Sequence, residues 1–296
     1  MVKRIKNLIR NINYLTKHSL WDQREEDIVY LTNKILDDGV YEYGLELSGY
    51  EKLHILDLWD SIEYIAKTNK SFVRFCDGEI NLMKGMSQPF QEYDKELVDR
   101  LYILLERPNS QIAIGINKDY FVPLYNAPHN SYDRRHSYDF RRFFYKYCNK
   151  DAIYIDGSFT FWTFGEHSEQ SEKFWNTWKE MFLDKKIAII CGKGILDELE
   201  YDVFELCKER QFVYGPRKHA WRMHKEIINE IISTVEKDTL LVFILGMAGK
   251  AMIPEVSGLG YTAWDIGHLA KGYNIYMKDE PYSEENVKKF FRQIDE

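Results

Sequence analysis

The feature that most constrains the fold of this chain is the alternation of short β-type runs with helical stretches along most of its length. Residues 186–191 and 240–245 are apolar over almost their whole length, which is typical of strands covered by helices on both faces. This alternation predicts an α/β fold, with a mostly parallel, twisted sheet and helices on both faces. Further runs of the β type are residues 71–75, 111–116, 152–155, 211–214 and 261–266.

The domain organisation follows from the lack of any long linker or internal repeat. We predict one α/β domain over residues 51–296, preceded by an N-terminal helical extension over residues 1–50. Residues 1–18 carry five basic side chains, no acidic one, and apolar residues at helical spacing, which predicts a basic amphipathic helix. A helix with one apolar face favours docking on the body or on a second copy in a homo-oligomer. The other hypothesis is peripheral contact with an anionic membrane surface.

Composition excludes some classes of function. The chain has 40 Lys and Arg against 47 Asp and Glu, a formal net charge of −7, so it lacks the broad basic field of a nucleic-acid-binding protein. The four cysteines lie far apart, without a Cys-x-x-Cys pair, which favours reduced thiols in a cytoplasmic protein. No apolar stretch reaches the roughly 20 residues of a membrane span.

Ligands of parallel α/β sheets bind outside the carboxyl ends of the strands, so the loops after the predicted strands are the candidate sites. Residues 246–251 are too short for a P-loop and lack its hydroxyl residue. Asp77 and Glu79 follow the run 71–75 and stand two residues apart, so both carboxylates can face one point. Two such oxygen ligands suit Mg²⁺ or Mn²⁺ against a diphosphate, although Asp-Gly is also a common turn.

The sequence from Arg74 to Glu79, Arg-Phe-Cys-Asp-Gly-Glu, resembles the opening block of the GT-D-type glycosyltransferases. The resemblance continues through Gly85, Phe90-Gln91, Asp94 and Leu97, and covers about residues 53–273. Later blocks that agree in order are residues 191–194, 216–220, 245–248 and 260–268.

This resemblance implies a Rossmann-like, GT-D-like fold and transfer of a sugar from a nucleotide-diphosphate sugar, most often a UDP-sugar. It implies a glycan or glycoprotein acceptor, and Mn²⁺ or Mg²⁺ held by Asp77 and Glu79. The chain departs from the family at Cys76, where Gly is usual, at residues 156–158, where a Thr-Arg pair is usual, and at residues 269–272, where acidic residues are usual. The last two departures lie where a sugar or an acceptor is contacted, so the substrates are not inherited.

Basic and glycine residues are the candidates for binding the donor. With the metal, Arg74 or Lys218 would stabilise the negative charge of a departing diphosphate. Gly192 and Gly194 allow backbone N–H groups to approach a phosphate, although an ordinary strand-to-helix turn reads the same way. Arg217 and Lys218 are assigned to the diphosphate by the matched block, and would otherwise be a solvated basic strand end.

Asp265 and His268 are the candidate catalytic residues, because an inverting transfer needs a base for the acceptor hydroxyl. A histidine at such a position is also commonly structural. The altered residues after His268 leave a second hypothesis open, a non-catalytic nucleotide-sugar or glycan-binding module of the same fold. A metal-dependent phosphohydrolase would need more Asp and His ligands than this motif offers.

Overall fold

A computed structural model of the chain describes residues 53–108, 110–121, 140–141, 143–161, 167–281, 283 and 286. The extension predicted for residues 1–50, with its basic helix, lies outside these residues. The chain divides into two compact units, one comprising Met1–Leu53 and Lys118–Lys146, the other His54–Asn117 and Tyr147–Glu296. The predicted domain boundary at residue 50 therefore stays a prediction.

The second of these units contains, within its described residues, one eight-stranded sheet in which all neighbouring strands are parallel. The strand order is β1-β4-β3-β2-β8-β7-β5-β6. Helices cover both faces, so the α/β fold predicted from the sequence is confirmed. The strands are β1 (His54–Ile55), β2 (Ser71–Phe75), β3 (Ile112–Ile116), β4 (Ile153–Asp156), β5 (Lys186–Gly192), β6 (Glu209–Gly215), β7 (Leu240–Ile244) and β8 (Ala263–Asp265).

In the same described part of the chain, six helices connect these strands and a seventh follows the last strand. Asp94 caps one of them, since its Oδ1 accepts a hydrogen bond of 3.0 Å from the Leu97 N–H. The helices are α1 (Leu58–Thr68), α2 (Asp77–Met83), α3 (Lys95–Glu106), α4 (Glu169–Phe182), α5 (His224–Thr234), α6 (Gly246–Gly258) and α7 (Leu269–Met277).

The first strand is the element that sequence periodicity misses. The apolar spacing of residues 51–68 predicts one helix over that range, but α1 begins only at Leu58, after His54 and Ile55 have paired with β4. Asp57 sets this start, because its side chain accepts a hydrogen bond of 2.9 Å from the Asp60 N–H. A cap residue and a strand partner distant in sequence therefore override the helical period.

A cluster of aromatic side chains packs α4 against the centre of the sheet. The ring centroids of Phe72 on β2 and Trp264 on β8 lie 5.7 Å apart and stacked. Trp178 on α4 meets Trp264 edge to face at 6.4 Å and is fully buried. Each such pair adds about 0.5–1.5 kcal/mol beyond its buried area. The cluster fixes β2 and β8 side by side, and the carboxyl ends of these strands carry the candidate site.

The topology has a switch point between β5 and β7. Strand β5 leads to β6 on one side, whereas its neighbour β7 leads to β8 on the other side. Loops that leave adjacent strands in opposite directions open a crevice at the carboxyl edge of the sheet, where ligands of such folds bind. Residues 192–194 and the start of α6 flank it.

In the other unit, the described residues form a small aromatic cluster beside the 3₁₀ helix Lys118–Phe121. The Tyr120 ring lies 5.0 Å from Phe140 and 6.1 Å from Phe144, measured between centroids. Arg141 Nη1 donates a hydrogen bond of 2.8 Å to the Tyr120 carbonyl. Throughout the described ranges of both units, every helix is too short or too polar to cross a bilayer.

Candidate functional site

Arg74 and Asp265 form a buried ion pair at the carboxyl ends of β2 and β8. The Arg74 N–H donates to Asp265 Oδ2 at 3.1 Å, Nε donates to the Asp265 carbonyl at 2.9 Å, and Nη2 donates to Oδ1 at 3.2 Å. The two residues are 8% and 2% exposed. This multiple contact fixes the guanidinium group in one orientation, because planar fork geometry adds specificity as well as energy.

Two glycines make room for the Arg74 side chain. Gly267 has φ +51°, and a Cβ there would lie 2.0 Å from Arg74 Nη2. On the other side, a Cβ at Gly115 of β3 would lie 3.1 Å from Arg74 Cγ. Gly267, which precedes His268, is therefore required by both its backbone conformation and the space that the Arg74 side chain occupies.

Glu79 and Lys250 form a second buried ion pair beside the first. Glu79 Oε1 contacts the Lys250 ammonium group, and Oε2 accepts a hydrogen bond of 2.8 Å from the Cys76 N–H. Lys250 Nζ also lies 3.8 Å from Asp265 Oδ2. Glu79 is 4% exposed and Lys250 5%. We call Arg74, Glu79, Lys250 and Asp265 the buried charge cluster; it holds two positive and two negative groups.

Both cations of the buried charge cluster keep their protons. Burial by itself would lower the pKa of Arg74, but the neighbouring Asp265 carboxylate raises it above the ordinary value. Burial would likewise lower the pKa of Lys250, and the carboxylates of Glu79 and Asp265 raise it. The cluster is thus a fixed set of charges at the sheet edge.

His268 follows the cluster in the chain and is half-buried. Burial, followed by the positive charges of Lys271 and Arg74, lowers the pKa of His268 from its ordinary 6.5 to about 3. The imidazole is therefore neutral near pH 7, the state in which a histidine can accept a proton.

Asp77 is the first residue of α2 and lies partly exposed next to the buried charge cluster. Its carboxylate makes no hydrogen bond to the described part of the chain. One protein carboxylate together with substrate phosphates is a common way to hold Mg²⁺, so Asp77 fits that role. Glu79 differs, because both of its oxygens already have partners. Among the described residues, no three His, Cys, Asp or Glu side chains converge as a metal site.

A second group of predicted residues meets at the carboxyl ends of β5 and β6. Gly194 has φ +81°, and a Cβ there would lie 2.3 Å from Arg217 Nη2. Arg217 Nε donates a hydrogen bond of 2.7 Å to the Lys193 carbonyl. We call Gly192, Gly194 and Arg217 the glycine–arginine turn. Its guanidinium group lies directly over the backbone of the turn, beside the crevice.

Residues 88–92 lie between α2 and α3 in the chain and are hydrogen-bonded to the loop after β6. The His219 N–H donates to the Phe90 carbonyl at 2.8 Å, and the Glu92 N–H donates to His219 Nδ1 at 3.0 Å. The Phe90 ring covers Gly246, where a Cβ would lie 3.3 Å from it. This segment spans the start of α6, between the buried charge cluster and the glycine–arginine turn.

Most of the residues selected from the sequence fall into these two groups. Lys218 is exposed, next to Arg217. Sequence reasoning does not identify Lys250 as a site residue, because the segment 246–251 that contains it does not fit a P-loop. Its signal was a lone charge in the otherwise uncharged stretch 246–254. The structure brings together Arg74, Glu79 and Asp265, with Asp77 and His268 beside them, and separately Gly192, Gly194 and Arg217.

An open, parallel sheet with charged and glycine-rich loops at its carboxyl edge defines the class of α/β proteins that bind ligands at that edge. The sequence matches the family described as "Glycosyltransferase GT-D fold" over residues 72–290, and the chain belongs to this family.

Relatives and solved structures agree with this assignment. The chain is 22% identical over 248 residues to the probable glycosyl transferase Gly of Streptococcus gordonii, covering 82% of this chain and 36% of that protein. It is 24% identical over 223 residues to the glycosyltransferase GlyD of Streptococcus pneumoniae serotype 4, covering 74% and 27%. The chain thus spans about a third of the length of these curated relatives.

Among solved structures, one of "domain of unknown function 1792" superposes with a TM-score of 0.70 at 25% identity, covering 77% of this chain and 83% of that one. A second, described as having "a distinct glycosyltransferase fold", gives 0.70 at 24% identity, covering 84% and 86%. A third, "a new glycosyltransferase" from Streptococcus sanguinis, gives 0.69 at 20%, covering 83% and 96%. These likenesses establish the GT-D fold.

Proposed function

We propose that the protein transfers a sugar from a nucleotide-diphosphate sugar, with a UDP-sugar as the first expectation, to a glycan or glycoprotein acceptor. The observation that carries the proposal is the placement of both site groups at the carboxyl edge of one sheet. Strands β2 and β5 are three strand spacings apart, roughly 14 Å. An extended ligand such as a nucleotide sugar can reach both groups, whereas a small anion cannot.

The glycine–arginine turn is suited to the phosphate or ribose end of the donor. Gly194 leaves room for the Arg217 guanidinium group to lie against the backbone of the turn, where it supplies a fixed planar donor. The turn flanks the crevice beside β7, where phosphates of nucleotides bind in folds of this kind. Arg74 is held by Asp265 and contributes its charge from a buried position.

We include a divalent ion, Mn²⁺ or Mg²⁺, held by Asp77 and the diphosphate of the donor. Such an ion supplies Lewis-acid stabilisation of the departing diphosphate. The role of the protein is to aim the Asp77 carboxylate from the first turn of α2, beside a cluster whose four charges cancel. The acceptor and the base of the nucleotide are inferred from the family alone.

Of the two predicted catalytic residues, His268 is better suited to accept the acceptor proton. The Asp265 carboxylate accepts two hydrogen bonds from Arg74 and would have to release at least one of them to act as a base. His268 is already neutral. Burial is the largest cause of its lowered pKa, and the smaller contribution of the cations Lys271 and Arg74 would be offset by an arriving diphosphate. The bound donor would therefore raise the basicity of His268 toward the range useful for catalysis.

The first test is a thermal-shift screen of the full chain against UDP, GDP, CMP and their sugar conjugates, with and without Mn²⁺. A ligand at about 100 times its Kd adds ~2.7 kcal/mol, which raises Tm by about 4–5 °C for a domain of this size. A Mn²⁺-dependent shift with one nucleotide would identify the donor. Sugar release or transfer from that donor should fall in Asp77→Asn and persist in Asp99→Asn, which changes an exposed carboxylate on α3.

A non-catalytic nucleotide-sugar or glycan-binding module is the second candidate. The observation in its favour is that Glu79 and Asp265 are both fully engaged by cations. A binding module would show the same thermal shift but no sugar transfer or hydrolysis with any acceptor. Release of inorganic phosphate would indicate a hydrolase instead.

A further inference from the structure

We propose that Lys250 is the resident cation of the Asp77-x-Glu79 motif: it neutralises Glu79 and anchors the start of α2, so that Asp77 alone faces the metal and the donor diphosphate. Lys250 and Glu79 are then positioning residues. The metal part of this proposal rests on the proposed function, whereas the pairing part does not.

The first step is the occupancy of the Glu79 carboxylate. Oε1 is taken by the Lys250 ammonium group, and Oε2 accepts from the Cys76 N–H at 2.8 Å. The side chains of both ion-pair partners are less than a tenth exposed. A divalent ion on the same oxygens would lie beside the ammonium group in a place with little water, where repulsion between like charges is weakly screened.

The second step is the position of Lys250 between three elements. It lies on α6, contacts Glu79 on α2, and approaches Asp265 at the end of β8 to 3.8 Å. Removing Lys250 would leave one uncompensated negative charge in the buried charge cluster. A buried carboxylate in that state is strongly unfavourable.

The third step links Glu79 to Asp77. Glu79 is the third residue of α2 and reaches back to the N–H of Cys76, the N-cap, as in a capping box. This contact closes the turn that contains Asp77. The chain of contacts from Lys250 through Glu79 to Cys76 therefore fixes where the Asp77 carboxylate points.

The test is a titration of the full chain with Mn²⁺, followed by electron paramagnetic resonance of the free ion, with and without UDP. Gln can cap as Glu does, so Glu79→Gln keeps the turn while removing the charge. We expect UDP-dependent Mn²⁺ affinity within about threefold of the wild type in Glu79→Gln and a loss of about 100-fold in Asp77→Asn. An equal loss in the two variants would overturn the proposal.

The variant Lys250→Met tests whether Lys250 positions the Asp77 carboxylate. We expect it to weaken UDP-dependent Mn²⁺ binding about tenfold, although Lys250 touches neither ligand, and the double variant E79Q/K250M to recover most of that affinity. A double variant no better than Lys250→Met would contradict the proposal.

Melting in metal-free buffer keeps the pairing testable if the wild type binds no Mn²⁺ with any nucleotide. In that event the metal part of the proposed function fails, and the order of melting temperatures decides the pairing. We expect Lys250→Met to melt below E79Q/K250M, because the double variant buries no unpaired carboxylate. The reverse order would refute the Glu79–Lys250 pairing.

Discussion

Replacing Arg74 by Met should destabilise the protein severely. Met preserves much of the length of the side chain but removes the guanidinium group. Asp265 then loses one hydrogen bond to its carboxylate, one to its backbone carbonyl, and its nearest counter-charge. The backbone hydrogen bond from residue 74 to Oδ2 remains available. Asp265 is 2% exposed, and water therefore cannot replace the lost partner.

The magnitude follows from the burial of the pair. Removing one partner of a buried ion pair typically costs about 3–5 kcal/mol. Lys250 Nζ remains 3.8 Å from Asp265 Oδ2 and compensates in part, so we expect the lower end, about 3 kcal/mol. An exposed pair on α3, Lys95 with Asp99, provides the matched control, since i,i+4 surface pairs contribute about 0.3–0.5 kcal/mol.

Urea denaturation at pH 7 measures both variants. Arg74→Met should lower the free energy of unfolding by about 3 kcal/mol, and Lys95→Met by no more than about 0.5 kcal/mol. The midpoint should shift with little change in the denaturant slope if the folded state stays compact. If Arg74→Met costs less than 1 kcal/mol, the Arg74–Asp265 pair is not the buried contact described above.

Two further predictions concern residues after β8. Gly267→Ala should lower Tm, because the new Cβ would lie 2.0 Å from Arg74 Nη2 at a backbone φ of +51°. Gly258→Ala, with no atom within 4 Å of its new Cβ, should leave Tm unchanged or raise it, and equal effects would contradict the packing argument. His268→Gln should reduce the acid sensitivity of folding between about pH 3 and 6.5. The pKa of His268 is about 3 in the folded protein and 6.5 for an ordinary histidine, as in the unfolded chain. Between these two pH values, the unfolded chain therefore binds a proton that the folded protein does not. Wild-type stability then falls with falling pH, at most about 1.4 kcal/mol per pH unit from this residue, and parallel curves would refute the assignment.

Most of the fold could be predicted because the strands of a covered parallel sheet are buried on both faces and are therefore apolar along their length. Strand β2 begins and ends where its β-rich run does, at Ser71 and Phe75, and all five of its residues are buried. The predicted run 261–266 is longer than β8, Ala263–Asp265, because the apolar residues Tyr261 and Ile266 on either side of the strand are buried as well. The order of the strands could not be predicted, since it depends on partners distant in sequence, such as Phe72 with Trp264.

The candidate site was predictable as a set of residues but not as a set of contacts. Arg74 and Asp265 are 191 positions apart, and nothing local indicates that one binds the other. Lys250 was hidden for a similar reason: an apolar helix with one lysine predicts a buried charge without naming its partner. Glu79 was selected as a metal ligand from its spacing, and spacing does not show which cation its carboxylate meets. Its metal role stays a prediction.

The buried charge cluster separates stability from function in a way that can be measured. Replacing a buried ion pair by neutral side chains of similar volume is often nearly neutral for stability, so stability alone gives little reason for a chain to retain it. In the double variant R74M/D265N, the side-chain amide oxygen of residue 265 can still accept the hydrogen bond from the backbone N–H of residue 74. The variant contains no unpaired carboxylate at this place. We expect it to recover at least half of the loss caused by Arg74→Met, yet to show a reduced thermal shift with the donor nucleotide, because the fixed cation at the end of β2 is gone. If the double variant keeps the full nucleotide shift, Arg74 serves the fold only, and the donor site lies with the glycine–arginine turn alone.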